Sequence, residues 1–277
     1  MTITLTRSKP KTKMATANLV IAVHGPPGST GKSSFALNLA YEFAELGKTT
    51  LLIDLDTHAP SLAHLMGVSE PLAALAGCAR LIRQSRFDRE HLQRLSLNIK
   101  HRRANFRLLA GLPTPRRWGE ISPETVIQLL NLARFEFELV ILDLASEIED
   151  NLTSTTQPIS RNSATRAALK ACDYAVTLVN RSTLSLSRHL NDFAELQEIQ
   201  PNRLLILNRS EPNQKIATTL TTLTKETIFA TIPDDPTSFE LAESEHLPLA
   251  LARRKSPARN AIAAIAHKLL ECPPSAR

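Results

Sequence analysis

Aromatic side chains make up only 4% of these 277 residues. A core built from this chain is therefore expected to be aliphatic, and few rings are available to stack on nucleic-acid bases. Cysteine is as scarce. Cys78, Cys172 and Cys272 are widely separated, so neither a disulfide framework nor a zinc knuckle follows from them. Each reads as a small packing residue in a reducing cytoplasm. No apolar run approaches the ~20 residues that span a bilayer, so no transmembrane segment is expected. The opening segment, MTITLTRSKPKTKMATAN, lacks the apolar centre of a secretory signal. No internal repeat is visible. There remains a chain that is 43% hydrophobic and long enough to bury a full core.

Charge is unevenly spread. The net charge is +6. Between Arg80 and Arg117 there are eleven Lys/Arg against two acids, Asp88 and Glu90, a local charge of +9. Such a stretch is either a solvated basic face or a surface for nucleic acid, anionic membrane or an acidic protein. Residues 1–17 are basic and aperiodic (Arg7, Lys9, Lys11, Lys13) and are expected to form a disordered arm. No linker composition interrupts residues 18–272, so they are expected to be a single domain with a short tail over 273–277.

The most informative stretch is LVIAVHGPPGSTGKSS, residues 19–34. Residues 19–23 form a short apolar run suited to a buried parallel strand. A Gly/Pro loop comes next, and then Phe35, Leu37, Leu39, Ala40 and Phe43 recur at helical spacing. A helix N-terminus presents unpaired N–H groups and the positive end of the helix dipole, which suits a phosphate. Gly28 and Gly31 let the backbone approach such a ligand. Lys32 would add a point charge at the outer phosphates, and the Ser33 hydroxyl suits Mg²⁺. The strict phosphate-loop pattern has Gly where this chain has Pro26.

Further along, 49–53 reads as a second buried strand ending in Asp54-Leu55-Asp56. At a period of two, both carboxylates face the same way at the strand's carboxyl edge, where ligands bind in open α/β sheets. They suit Mg²⁺ and water positioning; alternatively they cap a helix expected over 59–67. Two short basic helices are expected within 71–96 and a strand over 106–110. Ser122-Pro123 starts a helix running to about 134. Residues 137–142 form a buried strand closing on Asp143, the Walker B arrangement, in which a carboxylate reaches Mg²⁺ through water. Residues 147–163 read as a switch-like polar loop carrying Arg161. Helices over 164–172, 184–199, 213–225, 239–244 and 256–271 alternate with strands over 174–180, 203–207 and 228–232. This alternation predicts an α/β fold, a mainly parallel central sheet with helices on both faces.

The phosphate loop, LLIDLD, FELVILD and LLILNR together resemble the ParA/MinD superfamily of P-loop ATPases. GLPTPRRWGEI, ISRNSATRAALKACDYAV and IPDDPTSFELAESEHLPLA are similar to its CpaE/TadZ pilus-localisation and septum-site-determining members. The resemblance implies a P-loop NTPase fold that binds ATP and Mg²⁺. It places Gly28, Ser29, Thr30, Gly31, Lys32, Ser33 and Ser34 in the phosphate loop. Ser33, Asp54 and Asp143 fall near the metal, and Lys32, Asp56 and Asp143 in catalysis. Asn208, Arg209, Pro233 and Asp234 fall around the base. It further implies an ATP-dependent homodimer that hydrolyses ATP slowly and positions a pilus or secretion apparatus or a division site, from the cytoplasm or at a membrane, pole or septum. The chain departs from the family at Pro27, where the signature lysine stands, and at Ser29, where a second Gly stands. That lysine reaches the partner's phosphates, so cross-dimer catalysis is the property placed in question, and Arg161 is one candidate substitute. A nucleotide-binding scaffold with decayed hydrolysis, and a DNA-partitioning ATPase using 80–117, are the competing readings.

Overall fold

The computed structural model describes residues 18–68, 74–150, 160–211 and 214–272. The apolar runs become strands and the helix-periodic segments become helices. In chain order these are β1 (Leu19–His24), α1 (Lys32–Glu45), β2 (Thr50–Leu55), α2 (Leu62–Leu65), α3 (Ala74–Arg83), α4 (Arg89–Leu95), β3 (Leu97–His101) and β4 (Ala104–Leu109). They continue with α5 (Pro123–Glu136), β5 (Leu139–Leu144), α6 (Ser163–Ala171), β6 (Tyr174–Asn180), α7 (Thr183–Ile199), β7 (Arg203–Asn208) and α8 (Gln214–Thr224). The last four are β8 (Ile228–Thr231), α9 (Pro236–Ser244), α10 (Leu249–Ala252) and α11 (Pro257–Glu271).

The strands form one sheet in the order β3-β4-β2-β5-β1-β6-β7-β8. Every pairing is parallel except β3 with β4. Alternate side chains enter opposite faces, as a pleated strand requires. Leu19, Ile21 and Val23 pack with α1 and α11, whereas Val20 and Ala22 pack with α3, α5 and α6. Both faces are therefore covered, and the central strands β1, β2 and β5 are buried throughout. α1 lies inside one layer. Its Glu42 is 5% exposed and receives both Nε and Nη2 of Arg259 on α11, at 2.7 and 2.9 Å. This bidentate pair fastens α11 over α1.

Several local expectations change. Residues 97–101 form the antiparallel edge strand β3, so the strand closing on Asp143 is the fifth and not the fourth. Leu97 and Ile99 alternate with polar residues, and Arg102 takes a left-handed φ of 52° to turn the hairpin. The helix expected over 59–67 shortens to α2, because Asp54 and Asp56 hold the preceding backbone in turns. Residues 115–120 form a 3-10 turn, and α10 is an additional short helix. The arm over 1–17, most of the switch-like loop (151–159) and the tail over 273–277 lie outside the described residues.

Candidate functional site

β1 ends at the centre of the sheet, between β5 and β6. The chain then crosses Gly25–Thr30 and enters α1. Gly31 takes φ 86° at the helix N-cap, where it offers no side-chain cap, and the first turn of α1 holds no acidic residue. The orphan amides of the helix start are thus left for an external anion. A side chain at Gly31 is doubly excluded: its φ is left-handed, and a Cβ would stand 2.7 Å from Asn208 Nδ2. That amide, on the carboxyl end of β7, donates to Thr30 O at 2.7 Å. Its Oδ1 accepts from Arg209 N at 3.0 Å. Asn208 therefore braces the loop from the far side of the sheet's crevice.

Three carboxylates cluster at the ends of β2 and β5, and Asp143 among them faces the loop. Asp54 and Asp143 are register partners on β2 and β5. By strand alternation both point to the face that carries α1. Asp54 Oδ2 accepts from Ser61 N and Leu62 N, both at 2.9 Å, and Oδ1 accepts from Asp56 N at 3.3 Å. Asp56 Oδ1 accepts from His58 N and Ala59 N, each at 2.8 Å. Asp54 and Asp56 thus shape the segment after β2. Asp143 differs: it is fully buried, and neither oxygen has a hydrogen-bond partner. The Ser33 hydroxyl faces it without completing a bond of good geometry. Burial, opposed by Ser33 and Lys32 and aided by Asp56, pushes the Asp143 carboxyl up to about 7. Burial first, and then the neighbouring Asp143 charge, hold Asp54 well above the usual carboxylate range.

Lys32 Nζ donates to Ser146 Oγ at 2.6 Å, joining α1 to the segment after β5. Ser146 O in turn accepts from His24 Nε2 at 3.0 Å. His24 is fully buried. Desolvation, and then the Lys32 charge, lower its pKa to about 3, so the ring is neutral. Its Nδ1 has no partner.

An orphaned, buried carboxylate beside a hydroxyl and below a cationic helix start has the chemistry to fit a hard divalent cation. Ser33 and Asp143 are the residues that could hold such an ion. Among the described residues no group of three or more His, Cys, Asp or Glu is arranged to hold a metal by itself. A cleft opens beside the loop, lined by Gly31, Ser34, Asn38, Asn208, Arg209 and Phe239 among others. Its mixed polar and apolar wall suits a heterocyclic base.

The structure brings most of the anticipated residues together. Gly28 and Ser29 form the exposed tip of the loop and Thr30 its buried side. Ser33 and Ser34 begin α1. Asn208 and Arg209 line the cleft, whereas Pro233 and Asp234 do not; Ile232, Phe239 and Ala242 do so instead. Arg161 is exposed on the turn that opens α6, with no contact to the loop among the described residues. Three residues come from the fold alone: His24, Ser146 and Arg188. The first two sit at the carboxyl ends of β1 and β5, a position that itself marks them. Arg188 on α7 donates Nη1 to Pro27 O at 2.8 Å; no local pattern signals it.

Seven arginines of the basic segment fall into two kinds. Arg83 donates to Glu120 O, Arg89 pairs with Glu136, and Arg117 pairs with Glu120. Arg107 donates to Ser96 and Gln93. These four are structural. Arg80, Arg86 and Arg94 instead line, with Gln84 and His91, a cleft of about 450 Å³ between α3 and α4; no carboxylate is among its described lining residues, although His91 Nδ1 lies 2.7 Å from Asp88 Oδ1.

The profile of the CobQ/CobB/MinD/ParA nucleotide binding domain matches residues 21–249. No curated protein matches the chain. Solved structures do. A ParA family ATPase from Chlorobium tepidum superposes with a TM-score of 0.78 at 19% identity, over 92% of this chain and 100% of that one. The cell division ATPase MinD of Pyrococcus furiosus gives 0.71 at 16% identity, over 92% and 99%. The septum site-determining protein MinD of Pyrococcus horikoshii, complexed with Mg-ADP, gives 0.70 at 17%, over 91% and 95%. At these identities the likeness shows a shared fold, a mostly parallel eight-stranded sheet of the ParA/MinD P-loop type. Taken with the match over 21–249, it places this chain in the CobQ/CobB/MinD/ParA family of nucleotide-binding domains.

Proposed function

We propose that this chain binds ATP with Mg²⁺ at the loop over 25–34 and hydrolyses it slowly, as a nucleotide-dependent switch. The observation that carries this reading is the pairing of an uncapped α1 start with an orphaned Asp143 across from Lys32. In this reading Lys32 leaves Ser146 for the outer phosphates. Ser33 and Asp143 hold the metal side, while Asp54 fixes the segment that carries Asp56. Asp56 orients the attacking water. Asn208 holds the loop and keeps one N–H for the base. A bound Mg²⁺ would supply charge neutralisation at the phosphates. The Mg-ADP reported for the Pyrococcus horikoshii protein supports the ligand class.

The same reading takes residues 18–272 as one unit that forms a nucleotide-dependent homodimer. It assigns the chain to the CpaE/TadZ-like group, positioning a pilus or secretion apparatus or a division site. The test is sizing with and without ATP·Mg²⁺, alongside ATP turnover, for wild type and Asp56→Ala. A dimer that forms with ATP and persists in Asp56→Ala supports the switch. A monomer in every condition removes it, and equal turnover in both proteins leaves a nucleotide-binding scaffold. A second reading, partition along DNA, is favoured by one observation: Arg80, Arg86 and Arg94 share a cleft. Salt-sensitive DNA binding that is lost on replacing these three would support it.

A further inference from the structure

The first half of the loop is poor in the groups that hold an anion. Pro26 and Pro27 carry no N–H, so two successive positions donate nothing. The Pro27 carbonyl, if it faced the loop's interior, would repel a phosphate. Arg188 meets both deficits from within the same chain. It stands in the second turn of α7, half-buried, and donates Nη1 to Pro27 O at 2.8 Å. The same nitrogen lies 3.4 Å from where a Cβ on Gly28 would stand. Gly28, at φ 113°, keeps the approach to this guanidinium open.

Arg188 has no carboxylate partner among the described residues. Asp192, one turn further along α7, is held above the usual range by burial and by Glu149, Glu195 and Glu147; Arg188 does not pair with it. A guanidinium has five N–H donors, and the contact to Pro27 accounts for one. The direction of the site says which part of a ligand these donors would meet. The base cleft lies at the Gly31–Asn208 end of the loop. Pro27 and Gly28 are the opposite end, so a bound nucleotide's outermost phosphate lies toward Arg188.

Resting on the reading that the loop binds a nucleotide, we propose that Arg188 is a phosphate-binding arginine supplied in cis: it draws the Pro27 carbonyl out of the ligand's path and selects a nucleoside triphosphate over the diphosphate. Its charge stands where the loop's own sequence provides none. α7 thereby carries a residue whose contacts differ between the triphosphate and diphosphate forms.

The test measures the affinities of a non-hydrolysable ATP analogue and of ADP, each with Mg²⁺, for wild type, Arg188→Ala, Arg188→Gln and Arg188→Lys. Thermal melting checks that each variant folds. Arg188→Ala should weaken the triphosphate about tenfold, the scale of a lost charge-assisted hydrogen bond, and the diphosphate less than about threefold. Arg188→Gln, which can still donate to Pro27 O, should recover melting temperature without recovering the triphosphate preference; Arg188→Lys should recover part of that preference. Equal losses for both nucleotides, restored by Gln, would reduce Arg188 to a loop brace and overturn the assignment, as would unchanged affinities in Arg188→Ala. Wild-type protein that binds neither nucleotide would instead overturn the underlying reading of the loop.

Discussion

Asp54 and Asp143 occupy matching positions on two adjacent parallel strands, and the sheet buries both beneath the start of α1. Their environments still divide the work. Asp54 accepts three backbone N–H groups, whereas Asp143 accepts none of good geometry. One carboxylate builds the segment after β2; the other has both oxygens without a partner.

That asymmetry has a measurable cost. A carboxylate whose folded pKa is raised binds its proton more tightly in the fold than in the unfolded chain. Its contribution is fully present below the ordinary carboxylate range near pH 4 and is lost as pH rises through about 7. Asp143→Asn removes this loss. In denaturant titrations without nucleotide or metal, Asp143→Asn should gain on wild type between pH 5 and pH 8 by on the order of 1–3 kcal/mol. A difference that does not change with pH would show that Asp143 is not held protonated by its surroundings.

His24 gives the opposite sign. Its folded pKa of about 3 lies below the unfolded value of 6.5. The stability tied to it is present above pH 6.5 and is lost as pH falls toward 3. His189, buried on α7 and lowered to about 4 by burial and Arg203, adds a second proton to the same limb. His24→Gln keeps a donor for Ser146 O and removes one of the two. Its stability should fall less steeply than wild type between pH 6 and pH 4, by about 1.4 kcal/mol per pH unit. Identical slopes would place the acid sensitivity elsewhere.

The clamp between α11 and α1 should respond to truncation from one side. Arg259→Ala leaves Glu42 buried and unpaired, and burial already pushes that carboxyl upward against the Arg259 charge. Equilibrium unfolding should show a loss of about 3 kcal/mol. Arg259→Ala with Glu42→Gln should recover part of it, because the uncompensated charge is gone. No recovery in the double variant would assign the loss to packing of the arginine stem.

Legibility in the sequence depends on the distance over which each feature is encoded. The β1–loop–α1 unit lies within one contiguous stretch, where a continuous apolar run gives way to helical spacing at the glycines, so the unit and its ligand class are legible. Asp143 is legible because it ends an apolar run. β3 is not, because its hairpin turns on Arg102 and Arg103 without a glycine to mark it. The cleft beside the loop is legible in part: Asn208 lines it, but it also holds Thr30 O, a contact across 178 residues. Arg188 lies 161 residues from Pro27 and belongs to an otherwise ordinary amphipathic helix. Only the fold brings the two together. The basic run over 80–117 looks uniform in sequence; tertiary ion pairs and backbone contacts occupy four of its arginines and leave Arg80, Arg86 and Arg94 on one cleft.

In the proposed reading, the loop over 25–34 is a nucleotide site in which Lys32 contacts phosphate. Calorimetric titration of ATP with Mg²⁺ into wild type and Lys32→Ala tests it directly. Saturable one-site binding in wild type that weakens at least about tenfold in Lys32→Ala, at unchanged melting temperature, is the predicted result. Absence of binding in wild type, or equal affinity in the two proteins, would contradict it.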